Sequence, residues 1–152
     1  MKKLVLLFFL LISSFMLTQN LKEYRTLIQL GKDSEKSSIQ LIEKSTSAYN
    51  STKEPIFLGF IAVGDFFMAK HAFNPIKKIS YFSHGKKMLE SAVERDPMNL
   101  EIRLMRLIAQ ENIPRILGYH QHIEEDRNFV HRNYKKTTDS DLKTFIVEYL
   151  KL

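Results

Sequence analysis

The sequence predicts an all-α protein of about seven helices packed as antiparallel hairpins. Two observations carry that reading. Apolar residues recur at steps of three and four in segment after segment, and no convincing period-two alternation survives anywhere. The 152 residues contain only five glycines and four prolines, so long regular elements with few breaks are expected.

The first twenty residues, MKKLVLLFFLLISSFMLTQN, form a separate object. Lys2 and Lys3 make a positive start, and an apolar run follows from Leu4 to Ile12 and resumes from Phe15 to Leu17. This is the layout of a secretory signal peptide over residues 1–18, cleaved after Thr18 to leave a single helical domain over 19–152. The rival is an uncleaved membrane anchor, for which the run is short against the roughly 20 residues a span needs.

After this segment, Leu21, Tyr24, Leu27 and Ile28 share one helical face, and Gly31 stands where that helix stops. Asp33 and Ser34 offer N-cap oxygens for a second helix with Ile39, Ile42, Thr46 and Tyr49 inward, followed by a loop from Asn50 to Glu54. Pro55 opens a third helix at its first turn, where the missing N–H costs nothing. That helix, PIFLGFIAVGDFFMAKHAF, is apolar almost all round, as befits a central element. Its Gly59 and Gly64 are expected where another helix comes close.

Asn74-Pro75 breaks the pattern, and a fourth helix follows from about Ile76 to Arg95, with Phe82, Gly85, Leu89, Ala92 and Val93 on one side. Asn99 caps a fifth with Leu100, Leu104, Leu107 and Ile108 inward. A sixth is expected from about His120 to Tyr134, and a seventh follows Thr138-Asp139-Ser140 with Leu142, Phe145, Ile146, Tyr149 and Leu150 in a stripe.

Composition removes several functions. No cysteine is present, which excludes disulfides, thiol catalysis, cysteine-ligated zinc and a lipid-bearing cysteine. The formal charge of +6 falls to +4 once Lys2 and Lys3 leave with the signal, weak for a nucleic-acid binder. A nucleophile elbow, a phosphate-cradling glycine loop and an H-E-x-x-H motif are all lacking. No enzymatic activity and no cofactor are expected.

Residues 85–97, GKKMLESAVERDP, resemble the second helix and exit turn of a tetratricopeptide repeat, with Gly85, Leu89, Ala92 and Pro97 at the family's small, large, small and proline positions. Upstream, Phe60, Val63, Gly64 and Phe67 resemble its first helix. Nine extra residues separate Gly64 from Gly85, and Arg103, Arg106 and Leu107 stand where the next repeat needs a bulky residue, an aliphatic one and a glycine. The resemblance thus covers one repeat, from about Ile56 to Asn99. It implies a degenerate tetratricopeptide-like α-α superhelix whose flanking helices act as caps, because one repeat cannot cover its own apolar face. The runs AKHAFNP, SYF, GKK, DP and LGYHQHIEED also resemble small signal-bearing helical proteins of the gram-negative envelope. That likeness implies an envelope location and brings no activity with it.

Two clusters are candidate sites. Between Asp65 and Glu90 there is no acidic residue, while Lys70, Lys77, Lys78, Lys86 and Lys87 are present with His71, His84, Phe73, Tyr81 and Phe82. Such a stretch suits an anion or partner surface formed by Lys70, Lys77, Lys78, Tyr81, Lys86 and Lys87, or it is simply a solvated helix face. The second cluster is acidic: His120, His122, Glu124, Glu125 and Asp126. His122 and Asp126 meet at i, i+4 and are metal-ligand candidates, as is His120, and a polar helix start accounts for the same residues. Tyr119, His120 and Glu124 offer at most an acid–base group.

The functional expectation is an exported, non-catalytic binding or adaptor module, periplasmic or secreted. Its partner is another envelope protein or a peptide held in a helical groove. The alternative partner is an anionic lipid or glycan gripped by the basic helix face; nucleic acid is not expected.

Overall fold

A computed structural model describes residues 21–152; the predicted signal segment, 1–18, lies outside the described residues. Within them the chain is all-α, with seven helices and no strand. The first helix, α1, covers residues 21–31. It is followed by α2 (Glu35–Thr52), α3 (Pro55–His71), α4 (Pro75–Arg95), α5 (Leu100–Asn112), α6 (Ile123–Asn133) and α7 (Ser140–Leu150). A 3-10 turn, Arg115–Leu117, interrupts the connection from α5 to α6, and Gly118 leaves it with φ 64°, a left-handed conformation. No described helix is long and apolar enough to cross a membrane.

The helix starts follow local chemistry. Ser34 Oγ accepts from Ser37 N, Asn74 Oδ1 from Ile76 N and Lys77 N, Asn99 Oδ1 from Glu101 N and Ile102 N, and Asp139 from Leu142 N. Each satisfies N–H groups that the helix itself leaves open. Two boundaries differ from the sequence reading. The second helix runs on to Thr52, leaving only Lys53 and Glu54 as its loop. The sixth begins at Ile123, because His120 N and His122 N are taken by the side chains of Gln121 and Gln110.

The apolar helix α3 is the centre, packed against α2, α4 and α5. Links of two and then three residues make α2, α3 and α4 successive antiparallel neighbours. Tyr24 of α1 stacks on Phe60 and tilts against Phe57, with ring centroids 5.1 and 5.2 Å apart. Leu41, Leu89, Ala92, Ile102 and Met105 complete this first core. A second, smaller core joins α5, α6 and α7 through Leu104, Phe129, Val130, Leu142 and Ile146. Helix α5 is the wall between the two, with Ile102 and Met105 on one side and Leu104 on the other.

The stripe read for α2 is rotated in the structure. Ser38, Leu41 and Ser45 are buried, whereas Ile39 and Thr46 are exposed. Small serines win the inner face because α2 lies very close to α3. A Cβ on Gly64 would stand 2.6 Å from Ile42 Cγ1 and 3.3 Å from the Ser38 carbonyl oxygen. The Ser38 hydroxyl donates to the Gly31 carbonyl at 2.9 Å, so the polar group is satisfied.

Gly85 serves the α3–α4 contact in the same way. A Cβ there would lie 3.0 Å from the Ala62 carbonyl oxygen and 2.9 Å from Phe66 Cε1. Gly59 comes closest to the Met105 thioether, at 2.8 Å. Gly85→Ala is therefore expected to lower stability by about 1–3 kcal/mol, since it presses on backbone. Gly59→Ala should be neutral or stabilising by up to about 1 kcal/mol, because a flexible methionine yields and the helix gains propensity. Urea unfolding of the two variants checks the contrast.

Candidate functional site

The six residues of the basic stretch divide between α3 and α4 and do not act as one set. Lys70, near the end of α3, donates to the Lys32 carbonyl at 2.8 Å and lies 3.9 Å from Asp33. Beside it, His71 Nε2 sits 2.9 Å from the Gly31 carbonyl. Both tie the end of α3 to the end of α1. Lys86 lays its ammonium over the Tyr119 ring, 5.3 Å from the centroid, a cation–π arrangement. Tyr81 is half-buried. Lys77, Lys78 and Lys87 are exposed and pair with no carboxylate among the described residues.

The sequence reading missed what stands beside those lysines. From Phe73 to Ser80 nearly every side chain stands in solvent. Phe73 is 102% exposed, Ile76 80% and Ile79 55%. Asn74 and Pro75 fix this corner: the amide side chain caps α4 and the proline occupies its first turn. Three large apolar side chains thus stand in solvent on a well-anchored turn, with Lys77 and Lys78 among them. Their spacing was visible in the sequence, but an Ile at i and i+3 reads equally as core.

Farther down the same hairpin, His84 Nδ1 lies 2.6 Å from Asp65 Oδ2. Asp65 is buried on α3, and burial pushes its carboxyl pKa up, while the His84 hydrogen bond and charge oppose that shift. The pair spans the same α3–α4 contact as Gly85, whose Cβ position abuts Asp65 Cβ at 3.1 Å. It is a tie between helices.

The acidic cluster has a different use from metal binding. Asp126 is wholly buried and accepts from Arg106 Nε at 2.6 Å and Arg106 Nη2 at 2.9 Å, and also from Arg103 Nε. Glu125 accepts from Arg103 Nη2 at 2.6 Å and lies 3.0 Å from His122 Nδ1. Arg106 reaches on to Glu90 at 3.0 Å. Both oxygens of Asp126 are thus committed to guanidinium groups, and His120 is exposed. Among the described residues no three His, Asp or Glu side chains converge as a metal shell.

Tyr119 does not join His120 and Glu124. Its hydroxyl donates to Glu90 Oε1 at 2.6 Å, and burial, reinforced by that bond, pushes its pKa far above the ordinary value. Such a phenol is a poor acid. It closes a packed corner with Phe66 and Phe82, whose ring centroids both lie 6.3 Å from its own.

Arg103 and Arg106 are buried on α5. They stand on the face of α5 that meets α6 through this ionic lattice. The available signal was a pair of arginines three apart among the apolar residues from Leu100 to Ala109, with an acidic run some twenty residues on.

A shallow open cleft of about 250 Å³ between α6 and the chain end is lined by Arg127, Asn128, His131, Leu150 and Leu152. It is polar at one side and has no convergent acid, base or nucleophile. No protein-family model, curated protein or solved structure matches the chain. The arrangement at the α3–α4 corner suits contact with an acidic, partly apolar surface.

Proposed function

We propose that this chain is an exported, non-catalytic helical binding module, acting in the periplasm or outside the cell, and that its contact element is the α3–α4 corner. The observation that supports this most is the exposure of Phe73, Ile76 and Ile79 around Lys77 and Lys78. Isolated exposed apolar residues are ordinary on protein surfaces; three on one anchored turn, rimmed by unpaired cations, are characteristic of a contact site. The tetratricopeptide-like spacing from Phe60 to Pro97 supports a binding role as well, since stacked helical hairpins commonly serve recognition. The signal-like segment, 1–18, supports export.

The test is cross-linked capture from the cell envelope in which the chain is made, with two variants beside the native chain. One carries Phe73→Ser, Ile76→Ser and Ile79→Ser; the other carries Lys77→Glu, Lys78→Glu and Lys87→Glu. All three positions of each set are exposed, so folding, checked by circular dichroism, is expected to persist. The native chain should capture a protein, lipid or glycan that both variants lose. Equal capture by all three would overturn the assignment of the corner.

A further inference from the structure

Resting on the binding-module reading, we infer that the α3–α4 corner docks on an anionic phospholipid bilayer, inserting Phe73, Ile76 and Ile79 while lysines meet the headgroups. Helix geometry sets the pose. At 100° per residue, Ile76, Ser80, Ser83 and Lys87 fall within about 60° of one another, with Ile79 beside them. Lys87 is thus on the same outer face as Ile76 and about 16 Å farther along the axis. With α4 laid obliquely on a bilayer, the isoleucines enter the acyl boundary and Lys87 meets the headgroups three turns later. Lys77 flanks this face and Lys78 stands behind it.

The shape favours a bilayer over a folded protein. A stable protein interface covers about 800 Å² on each partner, and protein grooves usually receive apolar side chains from an extended or helical segment. Here the apolar group is one convex turn, open to solvent from Phe73 to Ser80. A bilayer needs no complementary groove: apolar side chains at its surface and cations at the headgroup level suffice. Charge fits as well. The segment from Phe66 to Leu89 has no carboxylate, and Asp33, across from the end of α3, lies opposite Lys70. The tie between Lys70 and the Lys32 carbonyl holds the corner in place, so little ordering is needed on contact.

The chain contains no tryptophan, so one can be placed as a probe. The full chain, as isolated from its own envelope, is prepared with Ile76→Trp at the corner or with Met98→Trp just past the far end of α4, Met98 being 71% exposed. Each is mixed with vesicles of phosphatidylglycerol and phosphatidylcholine, with vesicles of phosphatidylcholine alone, and with soluble polyglutamate. Brominated acyl chains report depth by quenching. The indole of the corner probe should be blue-shifted and quenched only with the anionic vesicles. That of the far probe should not be quenched, even if a retained leader tethers the chain.

Replacing Phe73 and Ile79 by serine in the Ile76→Trp background should weaken binding at least about tenfold at unchanged charge. Replacing Lys77, Lys78 and Lys87 by glutamine should abolish the preference for anionic lipid. Equal quenching of the two probes, or none of the corner probe with vesicles, overturns the bilayer inference. If the corner probe instead responds to polyglutamate alone, the lipid is wrong while the corner remains a binding element. If neither probe distinguishes the serine and glutamine variants from the parent, and envelope capture is equally indifferent to them, the binding reading falls too.

Discussion

Asp126→Ala is expected to remove about 3–5 kcal/mol of stability, a large share of what a domain of this size possesses. The carboxylate is wholly buried, and three guanidinium nitrogens from Arg103 and Arg106 donate to it. Its loss leaves two arginines in the α5–α6 seam with Glu125 and Glu90, both more exposed, as their remaining carboxylate partners. The cost is that of stranded charge more than of a lost attraction. A combined replacement, Arg103→Met, Arg106→Met and Asp126→Leu, should therefore recover most of the loss, since apolar groups of similar volume often replace a buried ionic cluster without penalty. Guanidinium unfolding with an unchanged denaturant slope is the measurement. A single-variant cost under about 1 kcal/mol would mean that water or a rearranged Glu125 relieves the arginines.

Arg25→Ala should have the next largest effect, about 3 kcal/mol, and should also change the response to acid. Arg25 donates to both oxygens of Glu101, at 2.7 and 2.8 Å, and to Asp139 at 2.8 Å, so one side chain of α1 holds the starts of α5 and α7. Burial alone pushes the Asp139 carboxyl up. The hydrogen bond and charge of Arg25, with the Leu142 N–H, outweigh that and hold it below its ordinary value.

A carboxyl depressed in the folded state contributes stability that is complete above its unfolded pKa, about 3.9, and is lost as pH falls through the lower folded value. The native chain should therefore lose stability more steeply below about pH 4 than Arg25→Ala does. Asp65 is raised by burial and works in the opposite sense, its ionisation costing stability as pH rises through the unfolded pKa towards the folded one. It is common to both chains and cancels in the comparison. Unfolding midpoints from about pH 3 to 6 provide the test, and parallel curves would show that Arg25 does not set the Asp139 titration.

Most of the helical plan was legible because its signals are local. Proline at Pro55, caps at Ser34 and Asn99, the break at Asn74-Pro75, and the mostly apolar run of α3 each act within a few residues. The errors arose where a partner helix decides. Ser38 and Ser45 displace Ile39 and Thr46 from the inner face of α2 because its backbone comes close to α3 at Gly64, where the Ser38 carbonyl and Ile42 abut. Periodicity of hydrophobicity alone cannot register that.

The candidate site was half legible. The absence of carboxylates around the lysines is a property of sequence, but the exposure of Ile76 and Ile79 depends on which neighbours α4 has at its start. Asp126 illustrates the reverse: in an acidic run it looks like solvent-facing charge, and only the approach of two arginines from α5 makes it an interior residue.

The two cores joined by α5 differ in how they respond to heat. Aromatic and aliphatic contacts around Tyr24, Phe57 and Phe60 gain little per unit area as temperature rises, whereas removing charged groups from water becomes less costly. The Arg103–Arg106–Asp126 lattice therefore strengthens relative to the aromatic cluster on warming and weakens relative to it on cooling. In a chain without disulfides, that gives the α5–α6 seam the part of a rivet at high temperature.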